Sequence, residues 1–115
     1  MFLNLMEDNM FGFFNKNNGK VINVNDIDNL IGKIELIDIR EVNEYNRGSI
    51  KSAKNIPMQT LLGNPDKYLK KDKEYYLVCQ SGGRSSMACN SLRQKGFNVI
   101  NVAGGVGSYL GKHRS

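Results

Sequence analysis

Residues 75–96, YYLVCQSGGRSSMACNSLRQKG, contain a strand, a tight loop and a helix in immediate succession. Aliphatic and aromatic side chains fill 75–79 without a polar interruption, which is typical of a strand in the centre of a sheet. Apolar and small residues then recur at helical spacing from Met87 onward, and Gly96 is placed to end the helix. The stretch predicts one strand–loop–helix unit, with the loop at the carboxyl end of the strand.

The same alternation extends in both directions along the chain. Strands or extended segments are predicted at 21–24, 34–39, 55–56 and 98–102. Short helices are predicted at 26–31 with Asn25 as the cap, at 41–46, at 58–63 and within 104–112. Segment 64–74 is predicted as charged surface. Alternating strands and helices predict an α/β fold, with a mostly parallel central sheet and helices on both faces.

Length and composition indicate one globular domain. The chain has 115 residues, of which 40% are hydrophobic and 23% charged. We expect a loosely ordered or peripheral leader over 1–19, a folded domain over 20–111 and a polar tail over 112–115. The leader lacks a basic region and is too short and too polar to cross a membrane, so no membrane span is expected.

Charge and cysteine content narrow the partners and the compartment. The formal net charge is +5, but the 16 basic residues form no stripe, so we expect no nucleic-acid partner. Two cysteines without a disulfide spacing favour a reducing, cytoplasmic location.

The loop that follows the strand carries the chemistry. Cys79 stands at a strand's carboxyl end, where open α/β sheets bind ligands. Gly82 and Gly83 let the backbone curl, so that successive N–H groups point into one concavity at a helix N-terminus. Such a site lowers the pKa of a thiol and keeps it ionised. Arg84 is expected to add a charged donor fork for an oxyanion, and Ser85 a cap or a further donor.

These segments resemble a known family. C-x-x-G-x-R-S at 79–85 is similar to the active-site loop of rhodanese-like domains. LIDIRE at 36–41 resembles the family's D-x-R-E strand end, and EYNRGSIKSAKNIP at 44–57 resembles its E-[FY]-x-x-G-H-I-x-G-A-x-N-I-P segment. VAGGVGSYL at 102–110 is similar to the closing G-G-x-x-x-W stretch. The likeness covers about residues 20–111, with the motifs in the family's order.

The resemblance implies a single-domain rhodanese-like fold and a sulfurtransferase. Sulfane sulfur would move from thiosulfate or a persulfide donor, through a persulfide on Cys79, to a thiophilic acceptor that is a small thiol or a protein. Asp38 and Arg40 would support the architecture beside the loop. No metal or cofactor is implied. The substrate-binding set would be Gln80, Ser81, Gly82, Gly83, Arg84 and Ser85.

Two positions depart from the family pattern. Ser49 stands where the G-H-I triplet has histidine, which is expected to loosen that corner or to alter what approaches the site. Tyr109 stands where the closing segment has tryptophan, and it keeps an aromatic body.

Two other functions remain open from the sequence. Cysteine phosphatases and arsenate reductases also use a Cys…Arg anion loop, but four residues separate Cys79 from Arg84 here, and Val78 replaces the usual preceding histidine. A sulfur-delivery module with negligible turnover is the second alternative. Cys89 is expected to fill the core, and His113, in the tail, to act neither as a base nor as a ligand.

Overall fold

A parallel sheet of five strands forms the centre of the molecule. The computed structural model describes residues 19–115, so nearly all of the leader lies outside the described residues. The strands are β1 (Val21–Asn23), β2 (Glu35–Asp38), β3 (Lys54–Asn55), β4 (Glu74–Val78) and β5 (Asn98–Ala103). Their order in the sheet is β1-β5-β4-β2-β3, and every pairing between them is parallel. The predicted parallel sheet is therefore confirmed, with β4 at its centre.

Within residues 19–115, four α-helices connect or flank the strands: α1 (Val42–Asn46), α2 (Met58–Gly63), α3 (Pro65–Tyr68) and α4 (Gly83–Gln94). Single turns of 3-10 helix occupy Val24–Asp26, Asp28–Leu30 and Val106–Ser108. Segment 64–74, which was predicted as charged surface, contains the short helix α3. Pro65 at the first helical position accounts for this short helix, because the fixed φ of proline suits a helix start.

The helix predicted over 26–31 is wrong, because two separate 3-10 turns take its place. Asn23 caps the first turn by accepting a hydrogen bond of 2.8 Å from the Asn25 backbone N–H. The Asn25 side chain instead donates to the Ser108 carbonyl at 3.0 Å and accepts from the Leu110 N–H at 2.7 Å. Ile27 lies between the two turns and is fully buried in the core. We attribute the interruption of the helix to this burial.

Apolar layers cover both faces of the sheet, as the sequence predicted. On one face, Leu61 of α2 and Leu92 of α4 pack against Leu77 and Val99. The 3-10 turns cover the other face, where their side chains meet those of β2, β4 and β5: Val24, Ile27, Leu36, Val78, Val102 and Val106. Successive residues of β4 alternate between the two layers because strand side chains alternate in direction.

The segment after β5 holds the carboxyl end of β4 in place. The Val106 N–H donates to the Cys79 carbonyl at 2.8 Å, and the Gly107 N–H donates to the Gln80 carbonyl at 2.9 Å. Gly105 allows this approach, because a Cβ at Gly105 would collide with both carbonyls, and its φ of +70° lies in the left-handed region. The loop after Cys79 is therefore fixed from the β5 side.

The predicted polar tail lies along the body of the protein. Arg114 forms an isolated antiparallel bridge with Ile50, and the Ser115 N–H donates to the Ser49 carbonyl at 3.0 Å. The Tyr109 ring is buried beside this segment, and its hydroxyl donates to Asp28 and accepts from the His113 N–H at 2.9 Å. Within residues 19–115, no helix is long and apolar enough to cross a membrane.

Replacing Tyr109 with Phe is expected to lower the free energy of unfolding by about 1–3 kcal/mol, because both hydrogen bonds of the hydroxyl are lost while the ring is kept. Urea denaturation measures the change. Tyr68→Phe is the matched control, since the Tyr68 hydroxyl makes no side-chain hydrogen bond within the described part of the chain. Equal stability of the Tyr109→Phe variant and the wild type would contradict the expectation.

Candidate active site

The side chain of Cys79 lies immediately beyond the last residue of β4. It is only 1% exposed and belongs to the apolar layer that α2 and α4 cover. Because the sheet is parallel, the carboxyl ends of β2 and β5 flank this position. Cys79 thus occupies the edge of the sheet at which the sequence predicted chemistry.

The chain after Cys79 curls back so that hydrogen-bond donors surround the sulfur. The Gly82 N–H donates to Sγ at 3.1 Å, and the Ser85 N–H donates to it at 3.3 Å. The Ser85 hydroxyl lies 3.3 Å from the same sulfur. Residues 79–85 therefore form a closed concavity whose donors face the sulfur.

These contacts decide the ionisation of Cys79. Burial by itself would raise the pKa of this thiol, because it disfavours the charged form. The Ser85 hydroxyl and the backbone amides of Ser85, Gly82 and Ser81 oppose this effect and outweigh it. The pKa of Cys79 is therefore lowered from its ordinary value, the direction expected of a reactive cysteine.

The guanidinium of Arg84 points to a carboxylate rather than to the sulfur. Its two terminal nitrogens donate to the two carboxylate oxygens of Glu44, each at 2.9 Å. This bidentate bond, against the opposing effect of burial and with help from the Glu41 N–H, lowers the pKa of Glu44 to about 2. Glu44 thus occupies the donor fork that was expected to face a bound oxyanion, and the sulfur receives its hydrogen bonds from amides and a hydroxyl.

Ser85 connects the sulfur to a strand residue that the sequence analysis missed. Its hydroxyl contacts Asn101 Oδ1 of β5 and the Gly82 carbonyl as well as Sγ. One hydroxyl proton faces three acceptors, and a negative charge on Cys79 favours donation to the sulfur. The signal in the sequence was Asn101 itself, a buried amide within the apolar strand NVINVA.

Of the two loop glycines, the backbone needs only Gly82. Its φ is +100°, and a Cβ there would lie 3.1 Å from the Gly104 nitrogen. Gly83 is the first residue of α4, and a Cβ there would meet nothing within 4 Å. The prediction that both glycines make the curl possible is corrected to Gly82 alone. Gln80 and Ser81, the remaining predicted loop residues, have exposed side chains.

The Asp38–Arg40 pair lies where the sequence predicted a supporting role. The Arg40 guanidinium is buried against the Asp38 carboxylate at 2.8 Å and donates to the Gln80 side-chain oxygen at 3.0 Å. It also donates to the Gly48 carbonyl at 2.7 Å. Ser49, at the family's histidine position, is fully buried and donates to Asp38 at 2.6 Å. Ser49 was expected to loosen this corner or to alter what approaches the site. These bonds and the tail hold the corner together, and the second alternative stays a prediction.

The second cysteine is part of the core. Cys89 is fully buried in the middle of α4, and burial raises the pKa of its thiol to about 12. Neither cysteine forms a disulfide. Across residues 19–115, no group of three or more His, Cys, Asp and Glu side chains is arranged to hold a metal ion.

Comparison with known proteins places the chain among rhodanese-like domains. The family model of the rhodanese-like domain matches residues 23–112. YtwF of Bacillus subtilis, provisionally named a sulfurtransferase, is 40% identical over 82 residues, which are 70% of this chain and 77% of that protein. YrkF of the same organism, provisionally named a sulfur carrier protein, is 34% identical over 69% of this chain and 43% of its own length.

A solved structure gives the same result. A rhodanese-like domain protein from Staphylococcus aureus superimposes with a TM-score of 0.70 at 31% sequence identity, over 80% of this chain and 94% of that chain.

The two loop glycines are expected to differ sharply on substitution. Gly82→Ala should lower the free energy of unfolding by more than about 1 kcal/mol, since alanine is strained at positive φ. Gly83→Ala should change it by less than about 1 kcal/mol, towards greater stability. Thermal and urea denaturation of both variants measure the difference, and equal losses would contradict the geometry.

The thiolate of Cys79 is expected to be visible by its absorbance near ~240 nm at a pH where an ordinary thiol is still protonated. Ser85→Ala should move the midpoint upward, because it removes a hydrogen bond to the charged sulfur. Cys79→Ser should show no thiolate titration around neutral pH, since the pKa of Cys89 is about 12. A normal midpoint in the wild type would contradict the assignment.

Proposed function

The chain belongs to the rhodanese-like domain family, and from this premise we propose that it is a sulfurtransferase in which Cys79 carries the transferred sulfur as a persulfide. Sulfur transfer or sulfur carriage is the function in the names of the two Bacillus subtilis relatives. The observation that carries the proposal is the convergence of two amides and one hydroxyl on the Cys79 sulfur. The protein belongs in a reducing, cytoplasmic setting, where both free thiols are preserved.

The first half-reaction forms the persulfide. The Cys79 thiolate attacks the outer sulfur of thiosulfate, a new S–S bond forms, and sulfite leaves with the electron pair of the broken S–S bond. A persulfide donor reacts in the same way and leaves as its thiolate. The lowered pKa of Cys79 increases the fraction of thiolate, the form that acts as the nucleophile. The surrounding N–H groups stabilise negative charge on sulfur in the resting state and on the leaving Cys79 thiolate later.

The second half-reaction releases the sulfur. A thiophilic acceptor attacks the outer persulfide sulfur, and Cys79 leaves as a thiolate into the same set of donors. A small thiol or a protein thiol serves as the acceptor. Neither half-reaction involves a net oxidation or reduction, so the residues of the loop are sufficient and no cofactor is required. Gln80, Ser81, Gly82, Gly83, Arg84 and Ser85 form the proposed substrate-binding loop.

Arg84 argues against phosphatase or arsenate-reductase chemistry. Such reactions depend on a guanidinium that holds a tetrahedral oxyanion in the loop. Here both terminal nitrogens of Arg84 bind Glu44, whose low pKa keeps it charged at neutral pH. A sulfur atom needs only the inward-facing amides, so the loop suits sulfur better than phosphate.

The second candidate function is sulfur carriage with negligible turnover. The similarity to YrkF favours it, although the aligned region spans less than half of that protein. Both functions require the Cys79 persulfide, so only turnover with small thiols separates them.

Cys79→Ser is expected to abolish transfer from thiosulfate to a small thiol, while Cys89→Ala keeps activity close to that of the wild type. Mass spectrometry should show one added sulfur atom on Cys79 after incubation with thiosulfate, and none on the Cys79→Ser variant. Retained transfer by the folded Cys79→Ser variant would overturn the proposal. Stoichiometric loading without turnover on small thiols would favour the carrier.

A further inference from the structure

A cavity of about 390 Å³ opens beside the cysteine loop and has no role in the half-reactions as described. Four chain segments form it: residues 40–48, the start of the loop, the segment after β5, and the tail. It is lined by Arg40, Glu44, Arg47, Gly48, Gln80, Val106, Gly107 and Arg114. Gln80, the residue that follows Cys79 in the chain, is among the lining residues, so the cavity borders the start of the cysteine loop.

The charges around the cavity are unevenly compensated. Asp38 pairs with Arg40, and Arg84 pairs with Glu44, so these two lining side chains are neutralised. Arg47 and Arg114 take part in no ion pair among residues 19–115. Two guanidinium groups without a carboxylate partner therefore line the cavity. The lining carboxylate, Glu44, is already paired with Arg84.

The Arg114 side chain is held in position. One of its terminal nitrogens donates to the Val106 carbonyl at 2.7 Å and to the Tyr109 carbonyl at 3.1 Å. Its guanidinium also lies 5.7 Å from the centre of the Tyr109 ring. A single guanidinium carries five N–H donors, so these bonds leave others for a ligand. Both arginines are exposed, and these contacts preorganise the site on the side of Arg114.

The size of the cavity points to an organic ligand. Its volume falls in the range of roughly 300–1,000 Å³ that is usual for small-molecule sites, and it exceeds what an inorganic anion needs. Guanidinium groups bind carboxylates through paired N–H···O bonds. When thiosulfate is the donor and a small thiol is the acceptor, the acceptor is the organic molecule of the proposed reaction.

We propose that Arg47 and Arg114 form a subsite for the carboxylate of a small thiol that accepts sulfur from Cys79, an inference that rests on the proposed function. The acceptor loses its thiol proton to water, and its thiolate attacks the outer sulfur of the persulfide. The new S–S bond forms as the bond to Cys79 Sγ breaks, and Cys79 leaves as a thiolate. The carboxylate takes no part in bond changes and serves only to position the thiol.

Acceptor selectivity tests the subsite. With thiosulfate as donor, we compare kcat/KM for 3-mercaptopropionate and for 2-mercaptoethanol, which has a hydroxyl in place of the carboxylate. The wild type should prefer 3-mercaptopropionate once thiolate fractions are taken into account. The Arg47→Gln, Arg114→Gln double variant should lower that preference about tenfold, which corresponds to the loss of about 1.4 kcal/mol. If Arg114→Lys replaces Arg114→Gln in the double variant, part of the preference for 3-mercaptopropionate should return, because lysine keeps the positive charge.

Matched controls remove the same charge elsewhere. Lys33 precedes β2 and Lys95 follows α4, so both exposed lysines lie at the opposite end of the sheet from Cys79. Lys33→Gln and Lys95→Gln should leave the preference unchanged. An equal fall in the controls, or an equal effect of the arginine substitutions on both thiols, overturns the subsite. A change confined to the KM of thiosulfate assigns the arginines to the donor and also overturns it.

A binding experiment separates this inference from the proposed function. Non-reactive 3-(methylthio)propionate is titrated into the wild type, and the amide NMR signals of Arg47, Gly48 and Gly107 are followed. Saturable shifts at these amides, weakened in the double arginine variant, support the subsite whether or not sulfur is transferred. Absence of saturable shifts at millimolar ligand overturns it, even if Cys79 proves essential for transfer.

Discussion

The rest of the structure depends on the hydrogen bonds that the loop after Cys79 donates to the Cys79 sulfur. A buried thiolate is costly unless donors surround it, and here Gly82 and Ser85 supply them within six residues of the sulfur. That curl requires backbone positions that have no Cβ atom. Gly82 supplies the left-handed turn, and Gly105 lets the segment after β5 lie close enough to bind the loop carbonyls. Strand order brings these pieces together, because β4 lies between β2 and β5.

A buried ionic network supports the loop from the β2 side. Asp38 and Arg40 are almost fully buried, and burying an ion pair seldom adds net stability. Their value lies in orientation, since Arg40 fixes the side chain of Gln80 and binds the Gly48 carbonyl. Ser49 adds a short hydrogen bond to Asp38 in the place of the family's histidine ring. The pair and the serine therefore join the ends of β2 and β4 and the tail into one rigid corner.

The sequence predicted the strands, the sheet type and the location of Cys79, because apolar runs, glycine turns and the family's motifs are local patterns. It failed where distant contacts outweighed local preference. Asn25 suits a helix cap, yet its side chain satisfies backbone groups near residue 108. The pairing of Arg84 with Glu44 of α1 was likewise not predicted, and the role of Arg84 toward an oxyanion stays a prediction. Neither partner could be identified from spacing along the chain, since both pairings depend on how separate elements pack.

The pairing of Arg84 with Glu44 determines how the reactive centre responds to its surroundings. Mobile ions screen interactions between exposed full charges but have little effect on buried dipoles at contact distance. The thiolate is stabilised mainly by such dipoles, while the guanidinium of Arg84 is paired with Glu44. Ionic strength should accordingly leave the reactivity of the sulfur nearly constant, and any salt dependence of turnover would arise in the encounter with charged substrates.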